Sequence, residues 1–435
     1  MSIKLFLSKF GFFDRTNMSK PQRILEMSII CLFLLIFFST ISLNYVPPFN
    51  YVNMVLYFIQ CVIITIWAFK YRVFVLNPYL PLIVILNLII FLSGLINNGN
   101  PLFLSTMIFL PLASFFFSQF LNSINNREKI LFTFNVSFVL FLVFFTVIYY
   151  KELLSLEVIR IGTFFSDQNL LGYVFTFGFL TILDIVIRKK VYFLSIISLY
   201  TLFLIFTTGS RSALLICIFC TILYLFLSFN KKNIKLFWIL TISILVIFVV
   251  LIFLPPFDNF RKRLISSITE IFVGTGGDDS TILRMQYIID GIEYSFRRLL
   301  FGYGSNEAAL IISREGQSTH NNFLDMTLNY GFFFTLAFEG FIIFLFYIAN
   351  NFGFKQKKLF ICLISCIFFV QFFFPNYWTK PEYLLFPFVV GMIPNKYRIA
   401  ISYENRKFSI LLPKQSSFFT TLEKHHNLTI CNIDI

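Results

Sequence analysis

The chain is 435 residues long, 58% of them apolar and only 13% charged, whereas soluble domains run at about 45–50% apolar and about a quarter charged; a soluble enzyme or binding module is excluded. The net charge of +14 would suit a nucleic-acid partner, but the basic residues recur in every second loop between apolar runs, as the positive-inside rule of membrane proteins requires. The excess is a topology signal, and no nucleic acid is expected.

Residues 1–27 form a tail carrying Lys4, Lys9, Arg15, Lys20 and Arg23. The apolar run Ser28–Leu43 follows without a small-residue cleavage site and reads as a retained anchor helix. Further runs of membrane-crossing length occupy Tyr51–Phe69, Pro81–Ile96, Pro101–Leu121, Ile130–Tyr149, Asn169–Ile187, Val191–Thr208, Ser212–Phe229 and Leu236–Leu254, giving nine spans within residues 28–254. Residues 255–322 form the one long loop. After it come Phe323–Tyr347, Leu359–Phe374 and Tyr383–Ile393, three spans within 323–393, and a polar tail, 394–435, that carries no signal. Strand-type alternation is absent, so a barrel is excluded and the backbone must satisfy itself within helices. The expected fold is all-α, a polytopic bundle of about twelve transmembrane helices. With that count both termini are cytoplasmic, and Lys70, Arg72, Arg127, Lys129, Arg188–Lys190, Lys231, Lys232, Lys235, Lys355, Lys357, Lys358, Lys396 and Arg398 all fall inside.

Six of the seven cysteines fall within spans and Cys431 in the tail, so no disulfide is expected; Cys217 and Cys220 share a helix face and read as packing. The 64 phenylalanines read mostly as lipid-facing. Asp184 and Arg188, one turn apart, read as a local ion pair. In the long loop Asp278, Asp279 and Ser280 open a helix. Ile282, Met285, Ile289, Ile292 and Phe296 then repeat at helical spacing, an amphipathic pattern suited to a bilayer surface. Gly302 and Gly304 end it. The Gly274–Gly277 stretch lacks the Lys-Ser/Thr of a nucleotide-binding loop and reads as a flexible link.

Three arginines fall outside against the charge rule: Arg160, Arg211 and Arg284. Arg211 lies in Thr207-Thr208-Gly209-Ser210-Arg211-Ser212, a tight turn between two spans. An arginine at the bilayer centre costs roughly 2.5–3.5 kcal/mol on insertion scales, and less near the interface. A guanidinium matches a phosphate in a bidentate fork, a charge-assisted bond contributing on the order of 1.5–3 kcal/mol. The functional reading is a clamp for a lipid phosphate or diphosphate; the alternative is an arginine touching headgroups. His320 is the only external histidine, where the long loop re-enters the membrane at Thr319-His320-Asn321-Asn322. A neutral imidazole can take a proton from a hydroxyl nucleophile; the alternative is an ordinary helix-start histidine. Asp325, one turn on, is placed to orient His320 or Arg284, and Glu339 pairs with a base or lines the bundle. No His, Cys and Asp cluster has metal-ligand spacing, and no cofactor is expected.

Four segments together resemble the O-antigen ligase and O-antigen polymerase superfamily of bacterial inner membranes. Arg160-Ile161-Gly162-Thr163-Phe164, followed by Asp167-Gln168-Asn169-Leu170-Leu171-Gly172, is similar to the family's external loop entering a span. Thr208-Gly209-Ser210-Arg211-Ser212-Ala213-Leu214 is similar to its Ser-Arg turn. Arg284, on a helix ending at Phe301-Gly302-Tyr303-Gly304, is similar to its loop arginine, and His320-Asn321 with Gly331 after nine intervening residues resembles its His-Asn signature. The likeness runs from Arg160 to Phe338. Phe334 departs from the small or polar residue that ligases tend to carry there, which weighs toward a polymerase.

The resemblance implies metal-independent glycosyl transfer at the periplasmic face, with a glycan on undecaprenyl diphosphate as donor. Arg211 and Arg284, with Arg160, would hold the diphosphate; His320 would position or deprotonate the acceptor hydroxyl, supported by Asp325 and Asn321. The expected function is polymerisation of O-antigen or capsule repeat units; the alternatives are a ligase onto lipid A-core and a lipid-linked oligosaccharide flippase. A flippase usually has repeated halves and a midplane polar site, and no repeat is visible. Partners would be membrane lipids, a chain-length regulator and a flippase.

Overall fold

Hydrogen-bonded helix is the form an apolar chain takes in lipid, because every backbone N–H and C=O is then satisfied within its own segment, and helices dominate this protein. The computed structural model describes residues 49–71, 73–76, 79–97, 127–155, 168–228, 279–304, 307–313, 318–351, 356–373, 399–404 and 407–411, with isolated positions between them. The expected spans Ser28–Leu43, Pro101–Leu121, Leu236–Leu254 and Tyr383–Ile393 lie largely outside these residues, as does Arg160. The helices are α1 (Phe49–Tyr71), α2 (Tyr79–Ile96), α3 (Arg127–Ile148), α4 (Tyr150–Ser155), α5 (Gln168–Lys189), α6 (Ser195–Thr207), α7 (Arg211–Ser228), α8 (Asp279–Arg297), α9 (Glu307–Ile312), α10 (Asn322–Tyr330), α11 (Phe332–Asn351) and α12 (Lys357–Val370). Among the described residues four stretches are long and apolar enough to cross a membrane: Ile130–Ile148, Gln168–Lys189, Arg211–Ser228 and Phe332–Asn350. Pro81–Ile96 and Tyr192–Thr207 are shorter apolar helices. The chain is a membrane protein.

Helix α5 is the central post. Its span is 89% buried, against 50%, 44% and 44% for the other three, and α3, α6, α7 and α12 all pack on it. The phenylalanines divide here, contrary to the expectation that they mostly face lipid. Phe134, Phe138, Phe141 and Phe145 of α3 and Phe175 and Phe177 of α5 are all buried. Phe145 meets Phe175 edge-on at 5.2 Å, an arrangement favoured by the ring quadrupoles. Helices α7 and α12 run antiparallel: Phe219 packs on Phe369 at 4.5 Å and Cys220 faces Cys366, and Cys217 and Cys220 are buried packing residues.

The expected local pair of Asp184 and Arg188 is one part of a larger clamp. Arg188 bonds both Glu128 oxygens (2.5 and 3.1 Å) and Asp184 Oδ2 (2.7 Å), while the Tyr224 hydroxyl donates to Asp184 Oδ1 (2.9 Å). Gln356 Nε2 donates to Glu128 Oε1 (2.7 Å). One half-buried guanidinium and its two carboxylates therefore tie α3, α5, α7 and the residue preceding α12 at one end of the bundle.

The chain after α1 and the C-terminal tail also meet. Val73–Leu76 (β1) pairs antiparallel with Ile399–Glu404 (β2), which pairs with Lys407–Leu411 (β3). The described spans are helical, as expected, but the tail read as featureless carries two strands. Ile399, Ile401 and Tyr403 alternate with Ala400 and Ser402, a period-two pattern too short to stand out beside long apolar runs.

Burial alone would raise the Glu128 carboxyl's pKa, but Arg188 and Lys189 outweigh it and hold the group below its usual 4.5. A carboxylate stabilised by folding contributes stability that is present above its unfolded pKa and lost as pH falls through the folded one. In detergent, the melting temperature should therefore fall as the pH drops below 4.5. Glu128→Gln should melt a few degrees lower at neutral pH, because Arg188 loses a buried partner, and should show a shallower acid decline.

Candidate active site

Asn322 to Asn351 was expected to begin one span, Phe323–Tyr347; the structure divides it at Gly331. In a continuous helix Thr327 and Thr335 would lie about 12 Å apart along the axis, yet their hydroxyls are hydrogen-bonded at 2.9 Å. The short helix α10 folds back along α11. Gly331 has φ +88°, and a Cβ there would stand 1.9 Å from the Leu300 carbonyl oxygen. At about nine residues, α10 is too short to cross a bilayer.

The fold-back carries His320 inward. Asn321 is the N-cap of α10 and accepts from the Leu324 N–H at 3.2 Å. The Asn322 N–H donates to the Gln371 carbonyl (2.8 Å), and its side chain donates to Gln371 Oε1 (2.6 Å). Gln371 Nε2 in turn donates to Glu339 Oε2 (3.3 Å). So Glu339 has an amide partner across α11 and α12. His320, half-buried, holds φ +56°, a left-handed conformation that costs a non-glycine residue about 1–3 kcal/mol and concentrates at functional sites.

Asp325, expected to orient His320 or Arg284, instead holds Thr319: its Oδ1 accepts from the Thr319 N–H (3.0 Å) and hydroxyl (2.8 Å). It acts on the residue preceding His320. Oδ2 is buried and unbonded. Burial pushes this carboxyl up to about 7, against the lowering effect of the two Thr319 bonds.

Arg284 reaches the same region on α8. A Cβ on Gly291 would lie 2.9 Å from Thr319 Cγ2, so that face of α8 touches the histidine loop. Arg284 is two turns earlier on the same face, about 10 Å along the axis, and half-buried. The end of α8 is fastened to α10 and α11: Tyr303 N–H donates to Leu328 O and Phe332 N–H to Leu299 O, both at 2.7 Å.

Arg211 is the first residue of α7, half-buried. Ser210 caps that helix by accepting from the Ala213 N–H (3.3 Å), and Gly209 turns the chain with φ +66°. The turn rests on the start of α5: a Cβ on Gly172 would lie 2.7 Å from Ala213 Cβ and 3.2 Å from Ser210 Cβ. Because α12 is antiparallel to α7, Gln371 and the His320 loop belong to the same end as Arg211. The Glu128–Arg188 clamp occupies the other. Arg211, Arg284 and His320 thus share one end of the bundle, and Asn322, Gln371 and Thr319 join them without any motif having singled them out. Among the described residues no group of three or more His, Cys, Asp or Glu is arranged to hold a metal ion.

Residues 196–339 match a family model described as O-Antigen ligase. The match takes in Arg211, Arg284, His320 and Gly331. No curated protein matches the chain.

Gly331→Ala should lose at least about 2 kcal/mol of stability from the backbone conformation alone and more from the Leu300 contact. A lowered melting temperature in detergent, with loss of the native Trp emission spectrum, is the expected readout.

Proposed function

We propose, from the match of residues 196–339 to the O-Antigen ligase model, that the chain is a membrane glycosyltransferase of the O-antigen ligase and polymerase superfamily and polymerises O-antigen or capsular repeat units carried on undecaprenyl diphosphate. The site faces the periplasm, both termini face the cytoplasm, and residues 255–322 form the external loop of a bundle of about twelve spans. The chain resides in the inner membrane.

In this reading an acceptor sugar hydroxyl attacks the anomeric carbon of the donor glycan. The new glycosidic C–O bond forms as the bond to the diphosphate oxygen breaks, and the undecaprenyl diphosphate leaves with the electron pair. Arg211 and Arg284, with Arg160, hold the diphosphate and stabilise the charge that grows on it. His320 takes the hydroxyl proton, Asn321 and Asp325 hold its loop, and the arginines neutralise the leaving group without a metal ion. The observation that carries the proposal is the gathering of Arg211, Arg284 and the strained His320 at the end of the bundle opposite the Glu128–Arg188 clamp.

The matched model's description favours a second reading, a ligase that moves the finished glycan onto lipid A-core. Both use the same donor and differ in acceptor. Deleting the gene separates them: lipopolysaccharide with a single repeat unit on the core marks a lost polymerase, and bare core with accumulating lipid-linked polymer marks a lost ligase.

Arg211→Ala and His320→Ala should each abolish glycan assembly, a loss of about 100-fold or more, while the protein inserts at its normal level on a membrane immunoblot. Unchanged surface-glycan ladders from both variants would remove these residues from the site.

A further inference from the structure

Helix α8 has one face committed to protein and one that is bare. Gly291 and Ser295 are buried against the histidine loop and α10, and Tyr287 and Tyr294 pack with Ala308, Ile312 and Leu328. On the outer side Ile282, Met285, Ile289, Ile292 and Phe296 recur at intervals of three and four and are all exposed, Ile289 by 58% and Phe296 by 74%. This is the reverse of a helix in a soluble domain, which hides its apolar stripe. The stripe extends about 21 Å, far more than scattered surface apolar residues, and a patch of that kind marks an interaction site.

Continuity identifies the occupant. Beyond Arg297 the chain exposes Leu299, Leu300 and Phe301 and is fastened to the ends of two apolar helices. Arg298 Nη1 donates to Asn97 Oδ1 (3.0 Å) just past α2, the Ser93 hydroxyl of α2 donates to the Phe301 carbonyl (2.9 Å), and Phe332 of α11 bonds Leu299. Around those anchor points α2 and α11 expose Leu92, Leu95, Ile96, Phe332, Phe333 and Leu336, the surface a membrane protein presents to lipid. The stripe on α8 prolongs that surface.

We infer that α8 lies in the membrane–water interface, its Ile282–Phe296 stripe among the upper acyl chains, so that the bilayer itself is the partner of this face. The inference rests on the membrane surface and not on the transferase reading, and its test reads lipid contact and not sugar transfer.

The full chain carrying Ile289→Trp, and separately Phe296→Trp, is placed in nanodiscs of phosphatidylethanolamine and phosphatidylglycerol, and its emission is compared with that of the parent protein. Lipids brominated near the top of the acyl chains should lower the added emission at least ~2-fold, as expected for a helix buried at the acyl boundary, while aqueous iodide leaves it unchanged. Quenching by iodide with no response to brominated lipid would put the stripe in water and overturn the inference. Shielding from both quenchers would mean that a second copy of the chain covers it, and overturns it equally. Phe296→Trp exchanges one exposed ring for another, so it decides the question where Ile289→Trp disturbs the helix.

Discussion

Backbone crowding at Gly331 determines where the histidine loop can be, because the Leu300 carbonyl leaves room there for a hydrogen and nothing larger. The chain reverses at that residue, α10 lies down along α11, and residues 318–322 arrive beside Gln371 and Glu339 in place of projecting from the tip of a straight helix. The reversal exposes backbone and side-chain polar groups to an apolar interior, where leaving one unsatisfied costs about 1–3 kcal/mol. Asn322 and Gln371 answer this with two bonds to each other, one from backbone and one from side chain. The histidine loop is held by packed glycine geometry on one side and an amide pair on the other.

The two ends of the bundle are built on different principles. At one, opposite charges pair tightly: Arg188 satisfies Glu128 and Asp184, and Tyr224 and Gln356 fill the remaining acceptors. At the other, the ionisable groups are spread over separate elements joined by short turns, with a histidine in a strained backbone conformation and an acid whose second oxygen is unbonded. One end is locked by paired charges, and the other is held by turns, caps and amide bonds.

Much of this was legible in the residues. Apolar runs gave the helices that are described to within about two residues at most ends, and basic loops identified the end that proved to hold Arg188 and Lys357. What escaped was tertiary. Gly331 belongs to the His-Asn signature, but its chain reversal does not show there, since nothing local says that Leu300, far back in the loop, will press against it. Glu128 lies sixty positions from Arg188, beyond the reach of helical spacing. Gln371 reads as an ordinary polar residue at the end of a span until Asn322 is placed beside it. The phenylalanines of α3 and α5 are compositionally the same as those facing lipid, and only their neighbours distinguish them. Arg160 rests on sequence alone.

One property of the shared end follows from chain direction. Helices α5, α7 and α10 all begin there, and the first turn of each leaves N–H groups without intrahelical partners, equivalent to about half a positive charge at each N-terminus. Those of α5 and α7 meet beside Arg211, where Gly172 packs on Ala213. In the proposed function, part of the hold on a diphosphate would therefore reside in the peptide backbone, beyond the reach of any side-chain replacement. Under that proposal, occupancy by a phosphorylated carrier would outlast the ability to turn it over.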